Sequence, residues 1–147
     1  MNCIRRLSRQ GLAWLVLTGV ALLGSPAGVA AQTARVGREF EVKVGRVVTL
    51  DGGGLRVRFA RVASDSRCPV DVDCVWAGNA ELVFEVGGRG RRGKRTVRLN
   101  TNASPERPGE VRYGRYTLKL VGLAPRPRGN RKVAPGRYTA TLLVSEE

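Results

Sequence analysis

Apolar residues recur every second position along most of this chain, and that period of two constrains its fold more than any other feature. Phe40, Val42 and Val44 alternate with Glu41 and Lys43, and Leu55, Val57 and Phe59 alternate with Arg56 and Arg58. Ala80, Leu82, Phe84 and Val86 alternate with Glu81, Val83 and Glu85. Tyr116, Leu118 and Leu120 alternate with Thr117 and Lys119, and Tyr138, Ala140, Leu142 and Val144 alternate with Thr139, Thr141 and Leu143. Successive side chains of a strand point to opposite faces, so the pattern describes strands with one buried face. Beyond residue 31 no stretch offers a good helical period. Strands are expected near 39–44, 47–50, 55–62, 79–86, 95–99, 115–121 and 137–145, with Asp51-Gly52-Gly53-Gly54 as a hairpin turn. Seven short strands in this length predict an all-β chain. The expected form is a single small β-sandwich of immunoglobulin-like topology, with a small β-barrel as the alternative.

The beginning of the chain obeys a different rule. Arg5, Arg6 and Arg9 precede an uncharged apolar run over 11–24, and Val29, Ala30 and Ala31 lead into Gln32. A basic start, an apolar run and a small-residue cleavage site make a secretory signal. Residues 1–31 are therefore expected to be removed, leaving 32–147 as one domain. The apolar run is too short for a convincing membrane span, so no transmembrane anchor is expected after cleavage. Ser25 stands where a lipoprotein signal carries its cysteine. A free soluble monomer is expected, exported to the periplasm or beyond the cell.

Export bears on the cysteines. Cleavage after Ala31 removes Cys3 and leaves Cys68 and Cys74, which have only each other. In an exported protein such a pair reads as a disulfide. Closing a loop this small contributes about 2.4 kcal/mol by chain entropy, so the bridge sets loop shape as much as it adds stability. The spacing is not Cys-x-x-Cys and the chain has no histidine, which disfavours redox or zinc chemistry. Trp76, just past the second cysteine, is expected to pack over the disulfide. Asp65, Asp71 and Asp73 are expected to cap turns or to pair with arginines such as Arg67, with calcium left as an alternative.

Residues 32–147 hold 23 basic and 12 acidic side chains, a formal charge of +11. One explanation is a GC-rich genome that writes arginine freely; the other is an anionic partner. If strands run alternately up and down from Val47, the loops at 51–54, 87–94 and 122–136 fall at one end. Arg89, Arg91, Arg92, Lys94, Arg126, Arg128, Arg131 and Lys132 would then form a basic pole suited to an anionic envelope polymer or lipid headgroup. The disulfide loop and the 100–114 loop would lie opposite. Nucleic acid is not expected as a partner, given the export signal and the lack of aromatics among these arginines.

Catalysis is constrained by absence. Without histidine neither a Ser/His/Asp nor a Cys/His nucleophile can be built, and no serine sits in a Gly-x-Ser-x-Gly or Ser-x-x-Lys box. The protein is expected to be non-enzymatic, with no catalytic residues, no cofactor and no metal.

Asp65-Ser66-Arg67-Cys68-Pro69 followed by Cys74-Val75-Trp76-Ala77-Gly78 resembles the signature of an uncharacterised family of small secreted or lipid-anchored bacterial proteins. The similarity extends from Phe40 through the Tyr116 strand to the closing strand. It implies export, the disulfide and a β fold, and it adds no activity. Two functions follow as expectations. One is a binding or accessory module of the bacterial envelope that works through the basic pole. The other is a protein-interaction or inhibitor module, whose Cys68–Cys74 loop presents Pro69, Val70 and Trp76 to a protein partner, with Asp65, Arg67, Pro69, Trp76 and Gly78 serving loop packing or interaction. An exposed apolar patch at the disulfide would favour the second.

Overall fold

The computed structural model describes residues 32–88 and 93–147. The expected signal segment, and Arg89, Arg91 and Arg92 of the expected basic pole, lie outside the described residues. Among the described residues the chain forms β1 (Gln32–Ala34), β2 (Glu39–Lys43), β3 (Val47–Leu50), β4 (Arg56–Asp65) and β5 (Ala80–Gly87). It continues with β6 (Arg95–Asn100), β7 (Glu110–Tyr113), β8 (Tyr116–Ala124) and β9 (Thr139–Glu146).

These strands build two sheets, one ordered β1-β3-β4-β5-β6 and the other β2-β9-β8-β7. All pairings are antiparallel except β1 with β3. The inward members of the period-two pattern meet between the sheets: Val57, Phe59, Leu82, Phe84, Val86 and Leu99 from one, Val42, Leu118, Ala140, Leu142 and Val144 from the other. Phe59 and Phe84 face each other in register, with ring centroids 4.9 Å apart. The fold is a small all-β sandwich with one disulfide, Cys68–Cys74.

Connectivity inside the sandwich is sequential. β3 to β6 form one meander and β7 to β9 another, whereas an immunoglobulin domain interleaves its strands between sheets. Tight turns account for the β3–β4 and β7–β8 pairings, because a strand joined to the next by a hairpin pairs with it directly, while β4–β5 and β8–β9 pair across the long 66–79 and 125–138 connections. The β3–β4 turn, at Asp51–Gly53, carries Gly52 at φ +79 and is closed by Leu50 N–H donating to Leu55 O over 2.8 Å. The β7–β8 turn has Gly114 at φ +60 between the paired residues Tyr113 and Tyr116.

β1 and β7 were not expected from the sequence, and β7 changes the geometry of the whole domain. One extra strand reverses the parity of every later loop, so the 125–138 connection emerges beside the disulfide loop. Val70 N–H donates to Pro127 O over 3.0 Å, and Gly129 N–H donates to Asp71 Oδ1 over 2.6 Å. Gly87 and Arg95 are held in the sheet at the far end of the ten-residue β4, about 30 Å away at 3.3 Å per residue. A single pole containing Lys94 together with Arg126, Arg128, Arg131 and Lys132 is therefore not formed. Asn100 and the residues after it do lie at the disulfide end, as expected, where Thr101 N–H donates to Ala80 O.

Candidate functional site

The disulfide loop, residues 66–79, joins β4 to β5 and keeps ladder geometry at its base. Ser66 N–H donates to Asn79 O over 2.8 Å, and Cys68 N–H donates to Ala77 O over 3.2 Å. Gly78 closes this base at φ +68, and a Cβ built there would sit 2.0 Å from Ser66 O. Only glycine fits that position. The half-cystines lie with Cα atoms 5.9 Å apart, an ordinary span for the bridge.

Arg67 joins this base to the other sheet. Its Nε donates to Asp65 Oδ1 over 2.8 Å and its Nη2 to Asp65 Oδ2 over 2.7 Å, a two-pronged fork. Nη1 donates to Leu123 O, and Nη2 also donates to Pro125 O over 2.8 Å. Tyr138 Oη donates to Asp65 Oδ2 over 3.0 Å. Both members of the Arg67–Asp65 pair have side chains only 8% exposed. Burial pushes the Asp65 carboxyl upward, yet the hydrogen bonds and charge of Arg67 prevail and hold it below its usual range. Tyr138 is pushed up to about 12, by burial first and then by its bond to the Asp65 carboxylate.

A second set of contacts holds the loop from the side. Arg126 Nη2 donates to Cys68 O over 2.8 Å, beside the Val70–Pro127 and Asp71–Gly129 bonds. At the β5 side Asn79 Nδ2 donates to Asn100 Oδ1 over 2.8 Å, and Asn79 Oδ1 accepts from Asn102 N–H over 3.0 Å. Asn100 is the buried polar residue among the described residues, and both Asn79 and Asn100 escaped the sequence reading. Polar residues bounding a strand carry no signal of their own until the neighbouring loop is placed.

The tip of the loop is apolar and open. Val75 is 91% exposed and Trp76 82%, with Val70 and Val72 about half exposed. Trp76 was expected to pack over the disulfide; instead its ring faces solvent, because Gly78 and the Cys68–Ala77 bond close the loop beneath it. Of the residues anticipated for this loop, Asp65, Arg67 and Gly78 build the base, Pro69 is half-buried at its flank and Trp76 forms the tip. Asp65 pairs with Arg67 and also accepts from its backbone N–H, the arginine-pairing and turn-capping roles expected for these acids, whereas Asp71 caps no turn of its own among the described residues and accepts from the Gly129 amide of the neighbouring connection.

Arg126, Arg128, Arg131 and Lys132 gather on the connection that lies against this loop. None of the four enters a salt bridge among the described residues. Lys94 lines a separate shallow cleft with Val47, Arg56 and Glu85 at the opposite end. The arrangement offers a rigid apolar projection with cations at its side. Among the described residues there is no group of three or more acidic or cysteine side chains placed to hold a metal. Compared with protein-family models, curated proteins and solved structures, the chain matches none.

Proposed function

We propose that this protein is a non-enzymatic exported binding module whose Cys68–Cys74 loop docks onto a protein partner. The observation that carries this reading is the exposure of Val75 and Trp76 on a loop pinned at its base by the Arg67 fork, Gly78 and the disulfide. A tryptophan held in water has lost apolar burial worth a few kcal/mol, and a rigid mount lowers the entropy lost on binding. Tryptophan is also among the residues enriched at the energetic centres of protein interfaces.

The test is capture from the envelope and secreted fraction on protein from Gln32 onward, washed with about 1 M salt, where the Debye length is about 3 Å. A defined partner retained by the parent and lost with Val75→Ser/Trp76→Ser supports the reading. Equal capture by both proteins overturns it.

A second reading is contact with an anionic envelope polymer or lipid headgroup. It is supported by the four cations Arg126, Arg128, Arg131 and Lys132, which lack acidic partners among the described residues. Its mark is release at modest salt, and loss of capture on reversing Arg128 and Arg131 to glutamate.

A further inference from the structure

The two neighbours of β4 cover it unequally. β5 follows it from Arg56 to Asp65, but β3 pairs only with Arg56, Val57 and Arg58. The turn before β3 adds two bonds at Phe59: Gly45 N–H donates to Phe59 O over 2.6 Å, and Phe59 N–H donates to Arg46 O over 3.1 Å. From Ala60 to Asp65, the side of β4 away from β5 has no strand against it among the described residues.

A cavity of about 550 Å³ lies along the Val62-to-Asp65 part of this uncovered stretch. One wall is Val62 to Asp65 of β4 with Ser66, Arg67 and Pro69, and the other is the 127–135 connection with Tyr138. No β5 residue lines it, which puts it on the open edge. Six residues of strand span about 20 Å, the length of one ordinary β-strand. Ala63, Ser64 and Ser66, which line the cavity, are small, leaving room for a second backbone.

Two bulges, between Phe59 and Arg61 and between Val62 and Ser64, twist this half of β4. Bulges and an exposed arginine oppose flat pairing with a second copy of the same strand, so the edge suits a flexible segment instead. The charge lining the cavity is positive. Arg131 and Lys132 stand on the wall facing β4, while the carboxylate of Asp65 is already taken by Arg67 and Tyr138.

We propose that the open edge of β4 over 60–65 is a groove for an extended acidic segment of a partner protein. The segment adds as a further strand beside β4, with its carboxylates against Arg131 and Lys132. Main-chain bonds supply the affinity of such strand addition, and the flanking charges select the sequence. The groove requires nothing of Val75 or Trp76, so this inference goes beyond the loop-docking reading and stands or falls separately.

The probe is a labelled ten-residue peptide alternating valine and glutamate, titrated by fluorescence anisotropy against protein from Gln32 onward, which contains all nine strands. Expected results are saturable binding, slowed amide exchange over 60–65, and binding about ten-fold weaker for Arg131→Glu/Lys132→Glu, as for the loss of a charge-assisted contact. The same peptide with alternate amides N-methylated keeps its side chains but cannot pair as a strand, and is expected not to bind. Trp76→Ser is expected to bind the peptide unchanged. Three results overturn the proposal: no saturable binding by the folded protein at millimolar peptide; undiminished binding of the N-methylated peptide; or a self-associated protein whose amides over 60–65 are already protected without peptide.

Discussion

Arg67 commits its guanidinium to one carboxylate and two carbonyls, all within a few residues of the strand ends that the disulfide loop must bridge. Removing one partner of so buried a pair leaves an uncompensated charge, so Arg67→Ala is expected to cost about 3–5 kcal/mol in urea unfolding. Arg67→Lys keeps the charge but loses the fork and is expected to recover only part of that. The pair also has a pH signature. Asp65 titrates lower in the folded state than in the unfolded one, so over the acid range the unfolded chain binds more protons. Its stabilisation is fully present above the ordinary carboxylate pKa, near about 4, and is lost as pH falls through the folded value. Denaturation followed from pH 6 downward should show a shallower acid limb for Asp65→Asn/Arg67→Met than for the parent. Tyr138 has the opposite sign: raised to about 12, it contributes stability that is present below its unfolded pKa and lost as pH rises through the folded one. At Gly78, alanine meets both a left-handed φ and the Ser66 carbonyl. Gly78→Ala should lose at least about 1–2 kcal/mol from the dihedral alone.

At the scale of elements, the disulfide and the hydrogen-bonded base share the task of holding the loop. Cys68→Ser/Cys74→Ser should lower stability by only about 2 kcal/mol, since the closed loop is short. Amide exchange over 70–77 should rise much more than in β4 or β5, because the sheet pairing stays intact while the tip loses its covalent closure. Of the two strands not expected from the sequence, β7 is the consequential one, because it makes a hairpin with β8. Its signs were present: Val111 and Tyr113 alternate with Glu110 and Arg112, and Gly114-Arg115 forms a two-residue turn. They were faint because β7 is a four-residue edge strand with only half-buried residues on its inner face. Such a strand contributes little apolar signal, and yet it decides at which end the following loop emerges.

The whole molecule carries its open apolar tip and four of its cations at one end, and Lys94 at the other. Trp76 is the sole tryptophan of residues 32–147, which makes it a direct reporter on that end. The folded protein should show the red-shifted, easily quenched emission of indole in water, and unfolding should change it little. A bound partner should shift the emission to the blue and protect it from iodide. If the folded protein instead shows blue-shifted, protected emission by itself, the tip is packed and the loop-docking reading fails.

The period of two, the glycine turns and the closely spaced Cys68 and Cys74 determined by themselves that this is a small β-sandwich with one short disulfide loop. Those properties follow from local rules: which face of a strand is apolar, where φ must be positive, which thiols have a partner. Tertiary structure alone decided that Arg67 is buried, that Trp76 is not, and that Arg126 to Lys132 stand beside the disulfide loop and far from Lys94. Each depends on which end of the sandwich a loop occupies, and that parity turned on one short edge strand.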